Sequence, residues 1–531
     1  MSTPNSLPDR PNLEQLKKQA KSLLHAAQEK DPAALARFGA LPAFASTPAA
    51  DLGAIDFALH DAQSVIAREH GFVSWNALRE EVEARTLTFE AAVDEFLRAA
   101  TGDASGRAER LLTLFPKIAS ASFFTALVLG DAAAVHAHLR DHPELATAPG
   151  GPHQWEPLLY VCQTSMGNSV PARRDGLVPI ARRLCELGAN PNAEYHWNWH
   201  PELPRTALWG AVCVVNHLPL AEALLEAGAN PTDGVTSHIT SGGGNLAALD
   251  LLWRFKLNVN GIPGGVPPLV YMMTWARPST GARWLLEHGA DPNLSWGRED
   301  EAPLHVAARR WDVPMVELLV HHGADIHRRR VDGRTAFALA SLSGNGPVAQ
   351  WLAEHGAQEA LSPLEQFVAA CARGDRATAT AMLQQHPNLR TDLSHEHHLL
   401  LEGAAERGDV GVLETMLACG FDVNVKDTED VTPIHRAAMA GNVDAVRILL
   451  AHGADVNVVD NMFSASPLVW AVEGRRHPKP GSDHVEVARL LIAAGVSLEW
   501  VPPEGAPSPE GTIEALIDLR RAAASSREAP V

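Results

Sequence analysis

The sequence predicts an all-α solenoid of about twelve helix-turn-helix units, preceded by an N-terminal helical module. Three observations favour this fold class. A unit of about 33 residues recurs along the chain; Pro and Gly residues mark where short helices begin and end; and the second helix of many units carries paired leucines. Because one such unit cannot bury its apolar face alone, neighbouring units are expected to stack into a continuous core.

The clearest unit runs from 427 to 457 and reads DTEDVTPIHRAAMAGNVDAVRILLAHGADVN. Pro433 predicts the start of its first helix, because proline lacks the N–H that a first helical turn leaves unpaired. Gly441 and Asn442 predict a short turn before the second helix. Gly453 predicts the end of that helix, since glycine adopts the left-handed conformation common at this position.

The glycine that ends each second helix marks the recurrence. Gly289, Gly323 and Gly356 follow one another at intervals of 34 and 33 residues. The residues Thr432-Pro433-Ile434-His435 resemble the Thr-Pro-Leu-His signature of ankyrin repeats, whose period is about 33 residues. The resemblance covers about residues 90 to 500 and implies an ankyrin-repeat solenoid that binds a protein partner on its concave face.

The chain is predicted to have five parts. These are a flexible tail at 1–11, an N-terminal helical module at 12–88, a first block of ankyrin repeats at 89–360, a second block at 361–500, and a linker with a C-terminal helix and tail at 501–531. The second block is predicted to open with FVAACARGDRATATAMLQQHPNL, because this unit lacks the Gly-Ala-Asp-Val-Asn ending.

The N-terminal module is predicted to be helical from its caps and apolar spacing. Asn12 precedes a helix with leucines on one face, Asp31 is a suitable N-cap for the next helix, and Ser74 begins another after the stop at Gly71. The stretch DAQSVIAREHGFVSWNALRE resembles a module found ahead of bacterial ankyrin arrays. Trp75 could form a site with nearby polar residues, but a lone aromatic at helical spacing is predicted to pack the two helices together.

Composition limits the class of partner. The formal net charge of −19 argues against nucleic acid and against anionic membrane surfaces, both of which attract basic proteins. The five cysteines form no CxxC pair and lie in apolar patterns, which favours buried thiols in a reducing compartment over a metal or redox site. No apolar run reaches the roughly 18 residues of a membrane span. We expect a cytoplasmic protein without cofactor or metal.

Histidine recurs at the signature positions His238, His305 and His435. This repetition could indicate a metal or catalytic site. In an ankyrin repeat, however, the same side chain hydrogen-bonds the backbone of a neighbouring turn and satisfies buried polar groups. We therefore predict a structural role for these histidines.

The resemblance places partner-binding residues on the turn fingers and on the two residues after the Ala pair of each first helix. These positions collect aromatic and charged side chains near the middle of the chain, where Trp and Arg are typical of interface hot spots. The residues predicted to bind a partner are Tyr195, His196, Trp197, Trp199, His200, Gly242, Gly243, Thr274, Trp275, Trp296, Arg298, Glu299, Asp300, Arg309 and Arg310. Trp197 and Trp199 could instead wedge their long finger, at 192–205, against its neighbour.

The fourth repeat, VTSHITSGGGNLAALDLLWRF, departs furthest from the pattern. Its Gly242, Gly243 and Gly244 stand where the first helix should end, and each costs about 1 kcal/mol relative to Ala inside a helix. The glycines could form the floor of a ligand pocket, or the repeat could have decayed. Both interpretations remain open at this stage.

Two functions follow from these observations. The first is a scaffold that binds an unidentified protein partner on the concave face without catalysis. The alternative is small-ligand binding or catalysis around repeats three to six, using imidazole and carboxylate groups for proton transfer. The candidate groups are His196, His200, Glu299 and Asp300. The sequence contains no phosphate loop, nucleophile elbow or HExxH motif that would define a reaction, so enzyme activity is not predicted.

Overall fold

A computed structural model of the chain describes residues 7–8, 11–41, 44, 47–102, 105–168, 170–197, 200–275, 279–476, 478–497, 500 and 519, without the side chains of 76, 105, 197 and 200–203. The chain groups into two compact units, Met1–Ala193 and Glu194–Val531. The helix predicted beyond residue 500 lies outside the described residues, Leu519 excepted. The domain boundaries expected at 88 and 360 stay predictions.

The first unit is built from short α-helices. Its helices are α1 (Leu13–Gln28), α2 (Pro32–Gly39), α3 (Leu59–Glu69), α4 (Trp75–Thr86), α5 (Phe89–Ala100), α6 (Ser105–Leu114), α7 (Phe123–Val128), α8 (Ala132–Asp141), α9 (Pro157–Cys162) and α10 (Pro171–Glu186). Short 3-10 turns lie at Leu52–Ala54, Pro116–Ser120 and Pro143–Ala146.

The predicted helix starts of the N-terminal module are confirmed. The side chains of Asn12, Asp31 and Ser74 each accept the backbone N–H three residues later, which is the bond that defines an N-cap. Trp75 packs against the apolar core of this module, as predicted. Glu69 pairs with Arg37 of α2 across 2.7 Å.

The second unit contains the helix pairs of the repeat array. Its helices are α11 (Ala207–Trp209), α12 (Leu218–Glu226), α13 (Thr236–Gly243), α14 (Leu246–Arg254), α15 (Pro268–Trp275), α16 (Ser279–Glu287), α17 (Pro303–Arg310), α18 (Val313–His321), α19 (Ala336–Leu342), α20 (Gly346–Leu352), α21 (Pro363–Ala372), α22 (Arg376–Gln385), α23 (His395–Arg407), α24 (Val410–Ala418), α25 (Pro433–Ala440), α26 (Val443–Ala451), α27 (Pro467–Arg476) and α28 (His484–Ala493). One-turn π-helical segments follow α11 and α20, at Gly210–Val214 and Ala353–Ala357, and a 3-10 turn lies at Pro387–Arg390.

Successive repeats stack helix on like helix. First helices pack in the order α13, α15, α17, α19 and α21, and then α23, α25 and α27, while second helices such as α24, α26 and α28 form a parallel row. Leu413, Leu449 and Leu491 of that row are fully buried in one continuous core. The predicted helical solenoid is confirmed by this arrangement. Within the described part of the chain, no helix has both the length and the apolar content needed to cross a bilayer.

The long finger predicted at 192–205 forms a β-hairpin, which was not predicted. β1 (Glu194–Trp197) pairs antiparallel with β2 (His200–Thr206), with an irregular register near the end of β1. Pro201 and Pro204 are unusual residues for a strand, because proline has no N–H to donate. A two-stranded ribbon tolerates them because each strand has a free edge.

Asparagine side chains join the turns of successive repeats. The Oδ1 of Asn424 accepts the N–H of Asp455 at 2.8 Å, and its Nδ2 donates to the carbonyl oxygen of Gly453 at 3.1 Å. Asn293 and Asn457 make the same pair of bonds to the repeats that follow them. We call these three residues the Asn ladder.

The signature histidines form a second set of bonds between repeats, as predicted. His435 accepts the N–H of Thr432 at its Nδ1, and its Nε2 lies 3.2 Å from the carbonyl oxygen of Ala465 in the next repeat. His238 and His305 reach the next repeat in the same way, at 2.6 and 2.9 Å. Burial lowers the pKa of all three histidines, that of His435 to about 4, so each is neutral at pH 7.

Candidate functional site

The structure brings several predicted binding residues together on the face formed by the first helices and fingers. Trp275, at the end of α15, lies against Trp296 of the next finger with ring centroids 6.0 Å apart, and Tyr271 lies 5.2 Å from Trp275 on the other side. The two tryptophans are 56% and 42% exposed. We call these three rings the aromatic ridge. Large rings left in water on a well-packed fold are suited to contact another molecule.

The finger beside the ridge, residues 295–302 (SWGREDEA), is held by ion pairs. Glu301 receives a bidentate pair from Arg309, with a shortest distance of 2.5 Å, and a second contact from Arg330 at 3.0 Å. Burial alone raises the pKa of Glu301, but the two guanidinium groups hold it below its ordinary value. Asp300 pairs with Arg328 at 3.0 Å. Arg309 and Asp300 therefore help to hold the finger in place.

Other predicted residues of this region face the same surface. Arg310 donates to the carbonyl oxygen of Thr274 at 3.1 Å and so ties the end of α17 to the end of α15. Glu299 is half-buried, and its carbonyl oxygen accepts the N–H of Val331. Arg298 is exposed at the tip of the finger. Together with the aromatic ridge, these residues form one patch.

The remaining predicted residues occupy two separate elements. On the hairpin, Tyr195 is half-buried opposite Arg205, and His196 is exposed with its Nε2 3.9 Å from the carboxylate of Glu194. Trp199 lies outside the described residues, as do the side chains of Trp197 and His200.

The glycines of the fourth repeat end α13, as predicted. Gly244 has a left-handed backbone with φ of 67° and closes the helix. Gly243 is exposed, and a Cβ added there would meet no atom within 4 Å. The two interpretations of Gly242 and Gly243, the floor of a ligand pocket or a decayed repeat, both stay predictions.

A cavity of about 400 Å³ opens beside this patch, lined by residues of α17, α19, α21, α23 and α24 and by three fingers. Five arginines and one half-buried glutamate characterise it, and we call it the arginine groove: Arg309, Arg310, Arg330, Arg334, Arg407 and Glu402. A second cavity of about 970 Å³ shares four of these residues and adds Arg373 and Arg436. Both volumes fall in the range of ligand-binding clefts.

Glu402 occupies an unusual position in the repeat. It stands 33 residues before His435, so it fills the position of the signature histidine. In α25 that position lies in the first turn, whereas α23 begins seven residues before Glu402. The N–H that the histidine would bind is therefore inside a helix and already bonded there. Glu402 therefore stands at the position of the signature histidine, but the backbone N–H that the histidine would bind is not available to its carboxyl group.

The contacts of Glu402 leave one oxygen unused. Its Oε2 lies 3.4 Å from Nε of Arg436, which also pairs with Asp427 at 3.0 Å. Its Oε1 is buried and has no hydrogen-bond partner among the described residues. Burial raises the pKa of Glu402 to about 7; Arg436 opposes this shift and Asp427 adds to it. The carboxyl group is therefore about half protonated at neutral pH.

Sequence reasoning found one side of this groove and missed the other. Arg309 and Arg310 were selected because they follow an Ala pair. The same rule applied to Ala404-Ala405 would have selected Arg407, and the register of His435 would have selected Glu402. The Ala404-Ala405 pair and the spacing to His435 were both present in the sequence. They are harder to recognise because the first helix of this repeat is longer than in its neighbours.

Metal and thiol chemistry find little support in this region. No three His, Cys, Asp or Glu side chains within the described ranges lie close enough together to hold a metal ion. All five cysteines carry free thiols, and burial raises the pKa of Cys213 to about 12. The groups with potential binding chemistry are therefore the exposed rings, the arginines and Glu402.

Comparison with known proteins identifies the repeats. A family model described as ankyrin repeats (3 copies) matches residues 278–362 and 401–499. The chain is 46% identical over 61 residues to the 2-5A-dependent ribonuclease of Mus musculus, a match that covers 11% of this chain and 8% of that protein. It is 28% identical over 149 residues to Rabankyrin-5 of Homo sapiens, covering 26% and 12%.

A third relative is matched over a longer stretch. The chain is 28% identical over 184 residues to ankyrin repeat and SOCS box protein 16 of Homo sapiens, a match that covers 35% of each protein. The chain thus spans only 8% to 35% of the length of these three relatives. The similarity concerns their repeats.

Proposed function

Because the chain is an ankyrin-repeat protein, we propose that it is a scaffold that binds a protein partner on its concave face and performs no catalysis. Ankyrin repeats generally serve protein–protein interaction. Function nevertheless depends on a particular surface rather than on the fold, so the proposal must rest on residues of this chain.

The observation that carries the proposal is the aromatic ridge. Trp275 and Trp296 expose about half of their surface and contact each other edge to face, beside Arg310. Tryptophan and arginine are both enriched among interface hot spots. Tryptophan also buries a large area at a small cost in side-chain entropy. A partner that covered both rings would gain several kcal/mol of binding free energy.

The alternative of a catalytic or small-ligand site gains no comparable observation. Two of its four candidate groups contact protein charges instead: Asp300 pairs with Arg328, and His196 lies beside Glu194. Glu299 lines the arginine groove, while the side chain of His200 is not described. The scaffold is therefore the function that the described surface supports best.

The chain offers a matched control for the test. Trp296 and Trp253 are both 42% exposed, and each makes an edge-to-face contact with another tryptophan, at 6.0 and 6.3 Å. Trp253 lies on the second helix α14, away from the aromatic ridge. We expect Trp296→Ala to weaken partner binding about thirtyfold or more, whereas Trp253→Ala leaves it within a factor of two.

Immobilised wild-type and variant chains would be used to capture proteins from lysate of the source cells, and the captured protein would then be purified and titrated. Circular dichroism melts would confirm that the two variants are equally folded. Equal loss of binding in both variants, or no loss in either, would contradict the proposal.

A further inference from the structure

The first helix of the fourth repeat, α13, buries polar side chains where other repeats bury apolar ones. Its five buried residues are all polar: Thr236, Ser237, His238, Thr240 and Ser241. The first helix α17 has the same length but buries five apolar residues beside its signature histidine: Pro303, Leu304, Val306, Ala307 and Ala308. Since burial of apolar surface is the main force that holds a repeat against its neighbours, α13 is held weakly.

Ser237 shows this weakness at a single position. It occupies the register of Leu304 and Ile434, which are buried between the helices of their repeats. Ser237 is 1% exposed, and its Oγ has no hydrogen-bond partner among the described residues. A buried hydroxyl without a partner destabilises the folded state, because it has given up its hydrogen bonds to water. Opening of α13 restores those bonds.

The backbone of α13 adds to the weakness. The hydroxyl groups of Thr240 and Ser241 donate to carbonyl oxygens of their own helix, a bond that bends helices and slightly destabilises them. Gly242 and Gly243 form the end of the helix, and two glycines lower the equilibrium constant of a helix by up to about thirtyfold relative to two alanines. Both the packing and the helix propensity of α13 are therefore poor.

The second helix of the same repeat is packed normally. α14 buries four apolar residues: Ala248, Leu249, Leu251 and Leu252. Its neighbours in the row of second helices, α12 and α16, also bury paired leucines. Local opening of α13 therefore leaves the leucine-rich row intact.

α13 supports the aromatic ridge through His238. The ring of His238 lies 5.0 Å from the ring of Tyr271 on α15, and its Nε2 lies 2.6 Å from the carbonyl oxygen of Val266. Tyr271 in turn contacts Trp275. When α13 opens, Tyr271 loses its contact on this side, and the ridge loses its support.

We infer that the fourth repeat is a conformational switch of the binding surface: α13 opens while the neighbouring helices stay folded, and the aromatic ridge is complete only while α13 is closed. The opening does not depend on the proposed function, whereas its effect on partner binding rests on that function. A partner that binds the complete ridge shifts α13 towards its closed form.

Hydrogen exchange of the full chain, read by mass spectrometry, tests the opening. Peptides from α13 and α17 give a direct comparison, because the two helices have eight residues each and both are first helices of their repeats. We expect the protection factors of the α13 amides to be at least about thirtyfold lower than those of α17. Equal protection of the two helices would overturn the inference.

Ser237→Ala removes the unpaired hydroxyl without adding an atom. It should raise the protection factors of α13 about fivefold or more and leave those of α17 unchanged. Ser341→Ala on α19 is the matched control, since Ser341 is also buried but its Oγ donates to the carbonyl oxygen of Phe337 at 2.9 Å. This control should change the protection of α19 less than about threefold. No gain from Ser237→Ala, or an equal gain from the control, would overturn the inference.

Tyr271→Leu tests the link between α13 and the aromatic ridge. Loss of the ring contact with His238 should lower the protection factors of α13 about threefold to tenfold. Trp296→Ala is the control, because the ring contact of Trp296 within the described part of the chain is with Trp275. It should change the protection of α13 less than about twofold. Equal effects of the two variants would overturn the link.

Opening of α13 and partner binding are separable in these experiments. If α13 is as protected as α17 while Trp296→Ala still abolishes partner capture, the inference fails and the scaffold proposal stands. If α13 opens as expected and Trp296→Ala captures the partner normally, the scaffold proposal fails together with the effect on binding, and the opening stands.

Discussion

At the scale of single residues, the local environment determines the role of the side chain at a repeated position. His435 and Glu402 occupy the same register of the repeat, yet the histidine satisfies two backbone groups and the glutamate leaves one oxygen unsatisfied. The role of the histidine could be predicted from sequence, because its partners are set by the local turn. The role of Glu402 depends on where α23 begins, directly after the N-cap Ser394, and this start was not predicted.

The histidine bond leads to a prediction about acid stability. His435 is fully buried, and its pKa falls to about 4. Between pH 6.5 and pH 4, the imidazole is therefore protonated in the unfolded chain and neutral in the folded chain. Stability is therefore complete above about pH 6.5 and is lost as the pH falls, by on the order of 2 kcal/mol at pH 5.

His435→Ala removes this titration but leaves the Thr432 N–H and the Ala465 carbonyl without their partner. We expect a loss of about 2–4 kcal/mol at pH 7.5 and a smaller one at pH 5, measured by urea denaturation. His321→Ala, at an exposed position of α18, is the control and should cost less than about 0.5 kcal/mol at both pH values. An equal loss at both pH values for His435→Ala would contradict this account.

At the scale of elements, helices were predictable and their lengths and packing contacts were not. Proline at the first turn and glycine after the last turn placed α25 and α26 correctly, because both signals act on the backbone locally. The hairpin β1–β2 was not predicted, and its prolines are of the kind that strands accept only at a free edge, a strand start or a bulge. The residues of the binding patch on α17 were predicted from their position after the Ala pair. The residues of α23 that line the neighbouring cavity were not predicted, because this first helix begins earlier than the first helices of the other repeats.

Two glycines of neighbouring helices show how packing changes the meaning of one residue type. A Cβ at Gly281 of α16 would overlap the carbonyl oxygen of Ser241, whereas a Cβ at Gly243 of α13 would meet open space. Gly281→Ala should therefore cost about 1–3 kcal/mol of unfolding free energy, since the helices must separate. Gly243→Ala should be neutral or stabilise by up to about 1 kcal/mol.

Chemical denaturation of the two variants measures both values. Gly243→Ala also distinguishes the two interpretations of the fourth repeat, a ligand pocket or a decayed repeat, because it adds a methyl group at the position of the pocket floor. A ligand bound there would be lost in a variant that is as stable as the wild type. Equal stability changes in the two variants would refute the packing argument.

At the scale of the whole molecule, the repeat array is held together by contacts between neighbours. Each first helix packs on the next, and the Asn ladder and the signature histidines bond several of the repeats to the one that follows. The stability of such an array is close to a sum of repeat and interface terms. Weakening one interface should therefore uncouple the repeats on its two sides.

Asn424→Ala tests this expectation, because both of its side-chain bonds cross to the next repeat. We expect a loss of about 1–3 kcal/mol, with α25 to α28 exchanging their amide hydrogens before α17 to α19. Hydrogen exchange read by mass spectrometry separates these helices. Asn388→Ala is the control, since Asn388 bonds Asp392 within its own repeat. Uniform loss of protection along the array would show that the repeats unfold as one body.

The Asn ladder also has a consequence for spontaneous deamidation, the slow chemical change to which asparagine is prone. Hydrolysis of the Asn424 side-chain amide, which consumes water and releases ammonia, would turn it into a carboxylate, which has no hydrogen to donate. Two oxygens, one from the new carboxylate and one from Gly453, would then face each other where a bond had been. Asn424 is followed by Val425, and its ladder counterparts Asn293 and Asn457 are followed by Leu and Val. These bulky neighbours hinder the backbone attack that begins deamidation, so the bonds between repeats are placed at sites that resist slow chemical decay.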